Sequence, residues 1–198
     1  MSDAPAGPAP LLNIANVLTG LRLVLVPFFL AALLVHDGRA VDWRLVAFGI
    51  FAVAALTDRL DGELARRRGQ VTAFGTIADP IADKALTGAA LVGLSMLDLV
   101  PWWVTAVIMG RELGITLLRF WVLRHGLIPA SRGGKAKTFV QTVAIGLYLL
   151  PLPQLLGGTA VVELLRRSVL GAAVVLTVVT GVTYVLQAIR LRASATAP

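Results

Sequence analysis

The sequence contains no cysteine, only two histidines and few charged residues. Without cysteine there are no disulfides, thiolate metal sites or cysteine nucleophiles. His36 and His125 each lack a second ligand at metal spacing, so a histidine metal site is not expected. Charged residues make up 15% of the chain, against about 25% in ordinary soluble domains. This scarcity of charge is typical of membrane proteins rather than soluble ones.

The sequence is instead rich in hydrophobic residues. They make up 57% of the 198 residues, and the mean hydropathy is +0.82. Stretches near the length of about 20 apolar residues that a spanning helix needs recur along the chain. We therefore predict one all-α, polytopic integral membrane domain over residues 13–192. Residues 1–12 and 193–198 are expected to be tails, and the first lacks the basic region of a signal peptide.

Six transmembrane helices are predicted from the apolar stretches. They cover residues 17–35, 45–65, 78–97, 101–123, 138–157 and 168–190. Only the last is cleanly apolar. The second, third and fourth carry charges near one end, which indicates that they extend beyond the bilayer or line a polar cavity. Residues 13–22 are mildly amphipathic, and we expect an interfacial helix there before the first span.

The positions of lysine and arginine favour an orientation with both termini in the cytoplasm. Cytoplasmic loops of membrane proteins carry an excess of these residues. With six helices in this orientation, the cytoplasmic side receives Arg59, Arg66, Arg67, Arg68, Arg124, Arg132, Lys135, Lys137, Arg190 and Arg192, and the outside receives Arg39, Arg44, Arg166 and Arg167. The net charge of +7 favours anionic lipid headgroups or phosphorylated substrates as partners. Nucleic acid is not expected, because no basic and aromatic reading module accompanies the charge.

Four aspartates lie at helical spacing on the second and third predicted helices. Asp58 and Asp61 in "LTDRLDGELARRRG" are three residues apart, and Asp79 and Asp83 in "GTIADPIADK" are four apart. At 100° per residue each pair shares one face of a helix. Antiparallel packing of the two helices, joined by a short connection at 67–78, would bring the pairs together. Their mutual repulsion would then be relieved by bound cations.

The ligand set of this cluster would consist of oxygen alone. Such a set favours Mg²⁺ or Mn²⁺ over zinc or copper, and four carboxylates suffice for two ions. For any single aspartate the alternative is an interfacial carboxylate paired with a neighbouring arginine. Four aspartates at these spacings, among only 11 acidic residues, favour the metal site, because intramembrane carboxylates are costly and usually functional.

Gly62, Ala65 and Arg66, which follow Asp61 in the sequence, suit ligand binding beside the carboxylates. Gly62 would let a ligand approach the helix backbone, and Ala65 keeps the next turn of the same face small. Arg66 could then meet a phosphate.

The spacing of these residues resembles the signature of the CDP-alcohol phosphotransferase family. Every position and gap of that signature is filled, by Asp58, Asp61, Gly62, Ala65, Arg66, Gly75, Asp79 and Asp83. The stretches "NIANVLTGLRLVLVP", "VTAFGTIADPIADK", "MGRELGITLLR" and "ASRGGKAKTFVQT" are similar to bacterial members that use glycerol 3-phosphate, and the resemblance covers residues 13–142. Ala15 and Ala78 stand where proline and leucine are expected, away from the chemistry.

The resemblance implies an activity and a set of site residues. The enzyme would be a homodimer in the bacterial inner membrane, with its active site facing the cytoplasm. It would transfer the phosphatidyl group of CDP-diacylglycerol to sn-glycerol 3-phosphate and release CMP. The implied ligands of two Mg²⁺ or Mn²⁺ ions are Asp58, Asp61, Asp79 and Asp83, with Asp83 also the general base. Gly62, Ala65, Arg66 and Gly75 would border CDP-diacylglycerol.

An acceptor that carries a phosphate also requires cations. Arg111 and Arg119 are eight residues apart and share a helix face, and more basic residues follow in the next loop. The expected acceptor-phosphate site is Arg111, Arg119, Arg132, Lys135 and Lys137. The loop residues could instead reflect only the positive-inside bias. The depth of Arg111 requires a partner, and Glu112 is a candidate although adjacent helix positions point apart.

Two alternatives stay open on the sequence. The acceptor could be phosphatidylglycerol, giving cardiolipin, or inositol phosphate. A different class is a divalent cation transporter, which would place carboxylates through the membrane depth in matching halves. The clustering of the four aspartates toward one side disfavours the transporter.

Overall fold

The computed structural model describes residues 14–67, 73–122 and 132–195, apart from the side chains of 14–16, 58–67, 73–80, 119–122, 132, 133, 135 and 190–195. Within these ranges the chain is helical and contains no strand, as predicted. The helices are α1 (Ile14–Leu34), α2 (Val41–Arg67), α3 (Ala73–Met96), α4 (Trp102–Val122), α5 (Arg132–Leu149), α6 (Leu152–Leu156) and α7 (Ala160–Ala195). The chain divides into two compact units, Met1–Ala90 and Leu91–Pro198.

The long helices follow the predicted order, and their apolar character supports a membrane protein. By length and composition, two segments of the described chain could cross a bilayer, Val17–Gly38 and Ala160–Ile189. Six crossings therefore stay a prediction, as do the limits of the domain. At the C-terminal end, α7 continues to Ala195, so the first residues of the predicted tail are helical.

The first unit contains a hairpin of α1 and α2. The rings of Phe29 and Phe51 pack between these helices with centroids 6.2 Å apart. Buried side chains flank them at three- and four-residue spacing, namely Ala32 and Leu33 on α1 and Ala47 and Ala54 on α2. The small alanines allow close approach of two helix backbones, a common feature of membrane helix pairs. A tight turn at Val35–Gly38 reverses the chain, with positive φ at His36, Asp37 and Gly38.

A separate interfacial helix at residues 13–22 is not confirmed. The structure continues one helix from Ile14 to Leu34 through this stretch. Thr19 and Arg22 are buried, whereas Leu21 and Val24 are exposed. Polar residues inside and apolar residues outside suit a helix that faces lipid.

In the second unit, α4 and α5 both pack on α7. The buried face of α7 repeats every three or four residues, through Arg166, Leu170, Ala173, Thr177, Thr180, Tyr184 and Ala188. Val175, Val178 and Val182 are exposed on the other side. At the turn before α4, the Oγ of Ser95 and the Oγ1 of Thr105 lie 2.7 Å apart and satisfy two buried hydroxyls.

The predicted limits of the last two long helices were wrong. The helix expected at 138–157 begins at Arg132 and ends at Leu149, because prolines at 151 and 153 interrupt it. A short α6 and Gly157, whose left-handed φ of 78° suits glycine, then reverse the chain. The helix expected at 168–190 begins eight residues earlier, at Ala160. In its charged first turns, Glu163 pairs with both Arg166 and Arg167 at the three- and four-residue spacing that supports a helix.

Candidate active site

The structure places the two aspartate pairs on consecutive helices, as predicted. Asp58 and Asp61 lie on α2, and Asp79 and Asp83 lie on α3. The side chains of the first three are outside the described residues, whereas that of Asp83 is half-buried. Among the described side chains, which do not include those three aspartates, no three His, Cys, Asp or Glu residues form a group that could hold a metal ion. The metal cluster therefore stays a prediction.

The connection between these helices is shorter than predicted. We expected it at residues 67–78, but α2 ends at Arg67 and α3 begins at Ala73. Gly75 consequently lies in the first turn of α3 and not in a loop. Gly62, Ala65 and Arg66 lie in the last turns of α2. The side chains of these residues are outside the described part, so their contact with CDP-diacylglycerol is untested.

The structure joins two of the predicted acceptor-site cations through one carboxylate. The Nη1 of Arg111 donates to Oε1 of Glu112 at 3.0 Å, and Nζ of Lys137 donates to the same oxygen. The side chains of Arg111, Glu112 and Lys137 are 13%, 16% and 3% exposed. We call these three residues the charge triad. It carries two positive charges and one negative charge, so it keeps a net attraction for an anion.

The contact between Arg111 and Glu112 corrects the expectation that neighbouring helix positions point apart. The guanidinium of Arg111 reaches the carboxylate of the next residue on α4. This contact is possible because the arginine side chain is long and its fork offers five N–H donors. The partner that the depth of Arg111 requires is therefore Glu112.

The last helix holds Arg111 from its other side. The Nη2 of Arg111 donates to Oγ1 of Thr180 at 3.2 Å, and that hydroxyl donates to the backbone oxygen of Leu176 at 2.6 Å. The guanidinium carbon lies 5.8 Å from the ring centroid of Tyr184, within cation–π range. At Gly181, an added Cβ would lie 3.1 Å from Cγ of Arg111. Arg111 thus fits closely against α7.

The other three predicted acceptor-site residues are not tested. Arg119 lies on α4, and Arg132 and Lys135 lie on α5, but their side chains are outside the described residues. The expectation that 132–137 form a loop is wrong. Despite two glycines the segment forms the first turns of α5, where Oγ1 of Thr138 donates to the carbonyl oxygen of Gly134 at 3.1 Å.

Sequence reasoning missed the contribution of α7. We treated that helix as a purely apolar span. A usable signal was present, because Thr177, Thr180 and Tyr184 follow one another at three- and four-residue spacing in an otherwise apolar helix. Polar residues on one face of a membrane helix indicate a face that packs on protein. The structure buries all three.

A second buried cation lies at the other end of the α5 and α7 pair. The Nη1 of Arg166 donates to Oε2 of Glu163 at 3.1 Å, and its guanidinium carbon lies 4.3 Å from the ring centroid of Tyr148. On α5, Tyr148 lies eleven residues after Lys137, or about 16 Å along the axis. No predicted site residue belongs to this cluster, so we interpret it as a packing element.

Comparison with known proteins identifies the class. A model of the CDP-alcohol phosphatidyltransferase family matches residues 12–183. The chain therefore belongs to this family of transferases, and the resemblance seen in the signature is confirmed. The enzyme interpretation is confirmed with it, in place of the cation transporter. Members of the family use divalent metals, in agreement with the acidic character of the signature.

Individual relatives carry more specific names. The chain is 57% identical over 185 residues to "Probable phosphatidylglycerophosphate synthase" of Mycobacterium tuberculosis (strain ATCC 25618 / H37Rv), a match that covers 93% of this chain and 86% of that protein. It is 36% identical over 152 residues to "CDP-diacylglycerol--glycerol-3-phosphate 3-phosphatidyltransferase" of Bacillus subtilis (strain 168), covering 70% and 77%. It is 41% identical over 140 residues to the protein of that name from Escherichia coli (strain K12), covering 67% and 74%.

Proposed function

We propose that this protein transfers the phosphatidyl group of CDP-diacylglycerol to sn-glycerol 3-phosphate, giving phosphatidylglycerophosphate and CMP. The observation that carries the proposal is the 57% identity, over 93% of the chain, to a relative named for this product. The filled signature on α2 and α3 supports the same chemistry. The charge triad supports an anionic acceptor, because it holds two cations around one carboxylate.

The general base in this proposal is Asp83. Its carboxylate takes the proton of the acceptor's primary hydroxyl, whose oxygen attacks the phosphorus bonded to diacylglycerol. The bond from that phosphorus to the CMP oxygen breaks, so no covalent enzyme intermediate is required. A free carboxylate has a pKa of about 4 and is a weak base, so the site must assist the removal of this proton.

The metal ions in this proposal are two Mg²⁺ or Mn²⁺ ions. Asp58, Asp61, Asp79 and Asp83 would hold them, and their oxygens are the donors that these ions prefer. The positions of the pairs on α2 and α3, three and four residues apart, fit this role. When bound, the ions supply positive charge that stabilises the reacting phosphates.

Removal of divalent ions tests the ligand set. Dialysis of the purified protein against EDTA should abolish CMP release, and Mg²⁺ or Mn²⁺ should restore it. Full activity in excess EDTA would contradict the metal assignment. A protein activated by Zn²⁺ alone would contradict the all-oxygen site.

The substrates would bind through two groups of residues. Gly62, Ala65, Arg66 and Gly75 would border the cytidine and diphosphate of CDP-diacylglycerol. Arg111, Arg119, Arg132, Lys135 and Lys137 would bind the phosphate of the acceptor. Lys137 is buried and Arg111 is largely buried, which supports the second group, because a cation held out of water attracts a phosphate more strongly than a solvated one.

In the cell we propose a homodimer in the bacterial inner membrane. Both termini and the active site would face the cytoplasm, where CDP-diacylglycerol and glycerol 3-phosphate would meet the enzyme among the membrane lipids. The distribution of basic residues supports this orientation.

The proposed function is tested by finding which acceptor the purified protein uses. Purified protein should be incubated with CDP-diacylglycerol, Mg²⁺ and one acceptor at a time: glycerol 3-phosphate, phosphatidylglycerol or inositol phosphate. We expect CMP release with glycerol 3-phosphate alone, and phosphatidylglycerophosphate as the lipid product. Release only with inositol phosphate, or cardiolipin formed from phosphatidylglycerol, would overturn the assignment.

A further inference from the structure

We propose that α7 is part of the acceptor site, where Thr180 and Gly181 act as positioning residues for Arg111. The inference rests on the proposed function, in which Arg111 binds the acceptor phosphate. It gives a role to the last helix, which lies beyond residues 13–142, the part of the sequence that resembles the family stretches quoted above.

Thr180 fixes one arm of the guanidinium. Its hydroxyl donates to the carbonyl of Leu176 at 2.6 Å and accepts from Nη2 of Arg111 at 3.2 Å. Because the hydroxyl hydrogen is already used on the backbone, the oxygen lone pairs face Arg111. The fork is therefore held between Thr180 on one side and Glu112, 3.0 Å from Nη1, on the other.

Gly181 makes this arrangement possible. A Cβ at this position would lie 3.1 Å from Cγ of Arg111 and 3.8 Å from its Nε. A separation of 3.1 Å is shorter than an ordinary van der Waals contact, so alanine would displace the arginine stem by a few tenths of an ångström. No other glycine on α7 has this property, since a Cβ at Gly171 would meet nothing within 4 Å.

The Nε of Arg111 adds a second observation. It is buried and has no hydrogen-bond acceptor within the described part of the chain. It also lies on the side of the arginine where Gly181 carries no side chain. A buried donor without an acceptor is costly, so an anion that supplies one is stabilised there. We infer that Gly181 sets the position of Arg111 and of this Nε donor.

A positioning role predicts an effect on the acceptor and not on the donor substrate. Arginine recognises phosphate through a fixed fork, so a small shift weakens binding of the acceptor. Gly181→Ala should raise the KM for glycerol 3-phosphate roughly fivefold, with kcat and the KM for CDP-diacylglycerol within about twofold of the parent. Thr180→Val should act in the same direction.

The chain offers a matched control for each variant. Gly171→Ala adds the same methyl group to α7 in open space. Thr183→Val removes a hydroxyl that bonds the carbonyl of Val179 at 2.8 Å but is exposed. Both controls should show the acceptor KM of the parent. The assay measures CMP release by the purified full-length protein while each substrate is varied in turn.

The outcomes separate this inference from the proposed function. If the parent releases no CMP with glycerol 3-phosphate, the proposed function fails, and the same four variants are compared with the acceptor that does support release. If Gly181→Ala and Thr180→Val both keep the parent's acceptor KM, the positioning role is overturned. The positioning role is also overturned if both variants raise the KM for CDP-diacylglycerol as much as the KM for the acceptor. If Gly181→Ala alone lowers the unfolding temperature and weakens binding of both substrates, the variant is misfolded. The acceptor KM of Thr180→Val then tests the positioning role: a raised value supports it and an unchanged value overturns it.

Discussion

Lys137 on α5 and Glu112 on α4 lie 25 residues apart in sequence and form a largely buried ion pair between the two helices. Arg111 binds the same carboxylate oxygen, so one negative charge serves two cations. Removing a partner of a buried pair leaves an uncompensated charge, which is strongly destabilising. The charge triad should therefore be coupled energetically as well as geometrically.

A double-mutant cycle tests this coupling. Glu112→Gln should lower the free energy of unfolding by roughly 3 kcal/mol, because the buried Lys137 and the largely buried Arg111 then lack their shared negative charge. Lys137→Met should cost less, since Arg111 still neutralises Glu112. The double variant should be more stable than the sum of the two single effects by about 1–3 kcal/mol, measured by unfolding in detergent. Strictly additive effects would refute the coupling.

Asp83→Asn should abolish turnover and leave a folded membrane protein. The amide is close in size to the carboxylate but cannot take the proton of the acceptor hydroxyl. We expect kcat to fall by at least about a hundredfold, with a smaller change in affinity for CDP-diacylglycerol. The matched control is Asp98→Asn, at an exposed turn whose φ of 55° asparagine tolerates well. Near-normal CMP release by Asp83→Asn would remove Asp83 as the base.

Lys135→Ala tests the part of the acceptor site that lies on α5. If Lys135 binds the acceptor phosphate, its loss should raise the KM for glycerol 3-phosphate about tenfold or more with little change in kcat. Thr138→Ala, an exposed change on the same helix, should leave both constants unaltered. Unchanged acceptor kinetics in Lys135→Ala would show that this lysine does not bind the acceptor and reflects only the positive-inside bias of cytoplasmic segments.

Two adjacent arginines on α7 should differ in their effect on stability. Arg166 is buried, pairs with Glu163 and stacks on Tyr148, whereas Arg167 pairs with Glu163 while 74% exposed. Arg166→Met should lower the free energy of unfolding by roughly 1–3 kcal/mol, whereas Arg167→Met should leave it almost unchanged, because an ion pair in water contributes little.

Neither arginine variant should alter the KM of either substrate. The comparison uses unfolding in detergent together with CMP release. Equal losses of stability would contradict the distinction between the buried and the exposed cation. A raised acceptor KM in Arg166→Met would show that this cluster is more than a packing element.

The sequence alone predicts the features that depend on neighbouring residues. Asp58 and Asp61, and likewise Asp79 and Asp83, could be placed on helix faces because helical periodicity fixes positions three and four residues apart. The helix order followed from hydrophobic runs. The ends of α5 and α7 were missed because the interrupting prolines were overlooked and because the charges near Glu163 pair within the helix.

The long-range contacts could not be predicted in the same way. Thr180 lies 69 residues after Arg111, and their hydrogen bond depends on how α4 packs on α7. No local pattern around Glu112 shows that it binds Lys137 rather than solvent. What sequence does offer is the polar spacing on α7, which marks the helix face but does not identify the partner.

The length of α7 has a consequence for the membrane that surrounds it. Its 36 residues extend about 54 Å, whereas the hydrocarbon layer of a bilayer is about 30 Å thick. A helix of this length must tilt or project beyond the acyl chains, and its charged first turns can then remain at headgroup level in thick and thin bilayers alike. Hydrophobic mismatch should consequently be small over a wide range of acyl-chain lengths, a useful property for an enzyme that works on lipids.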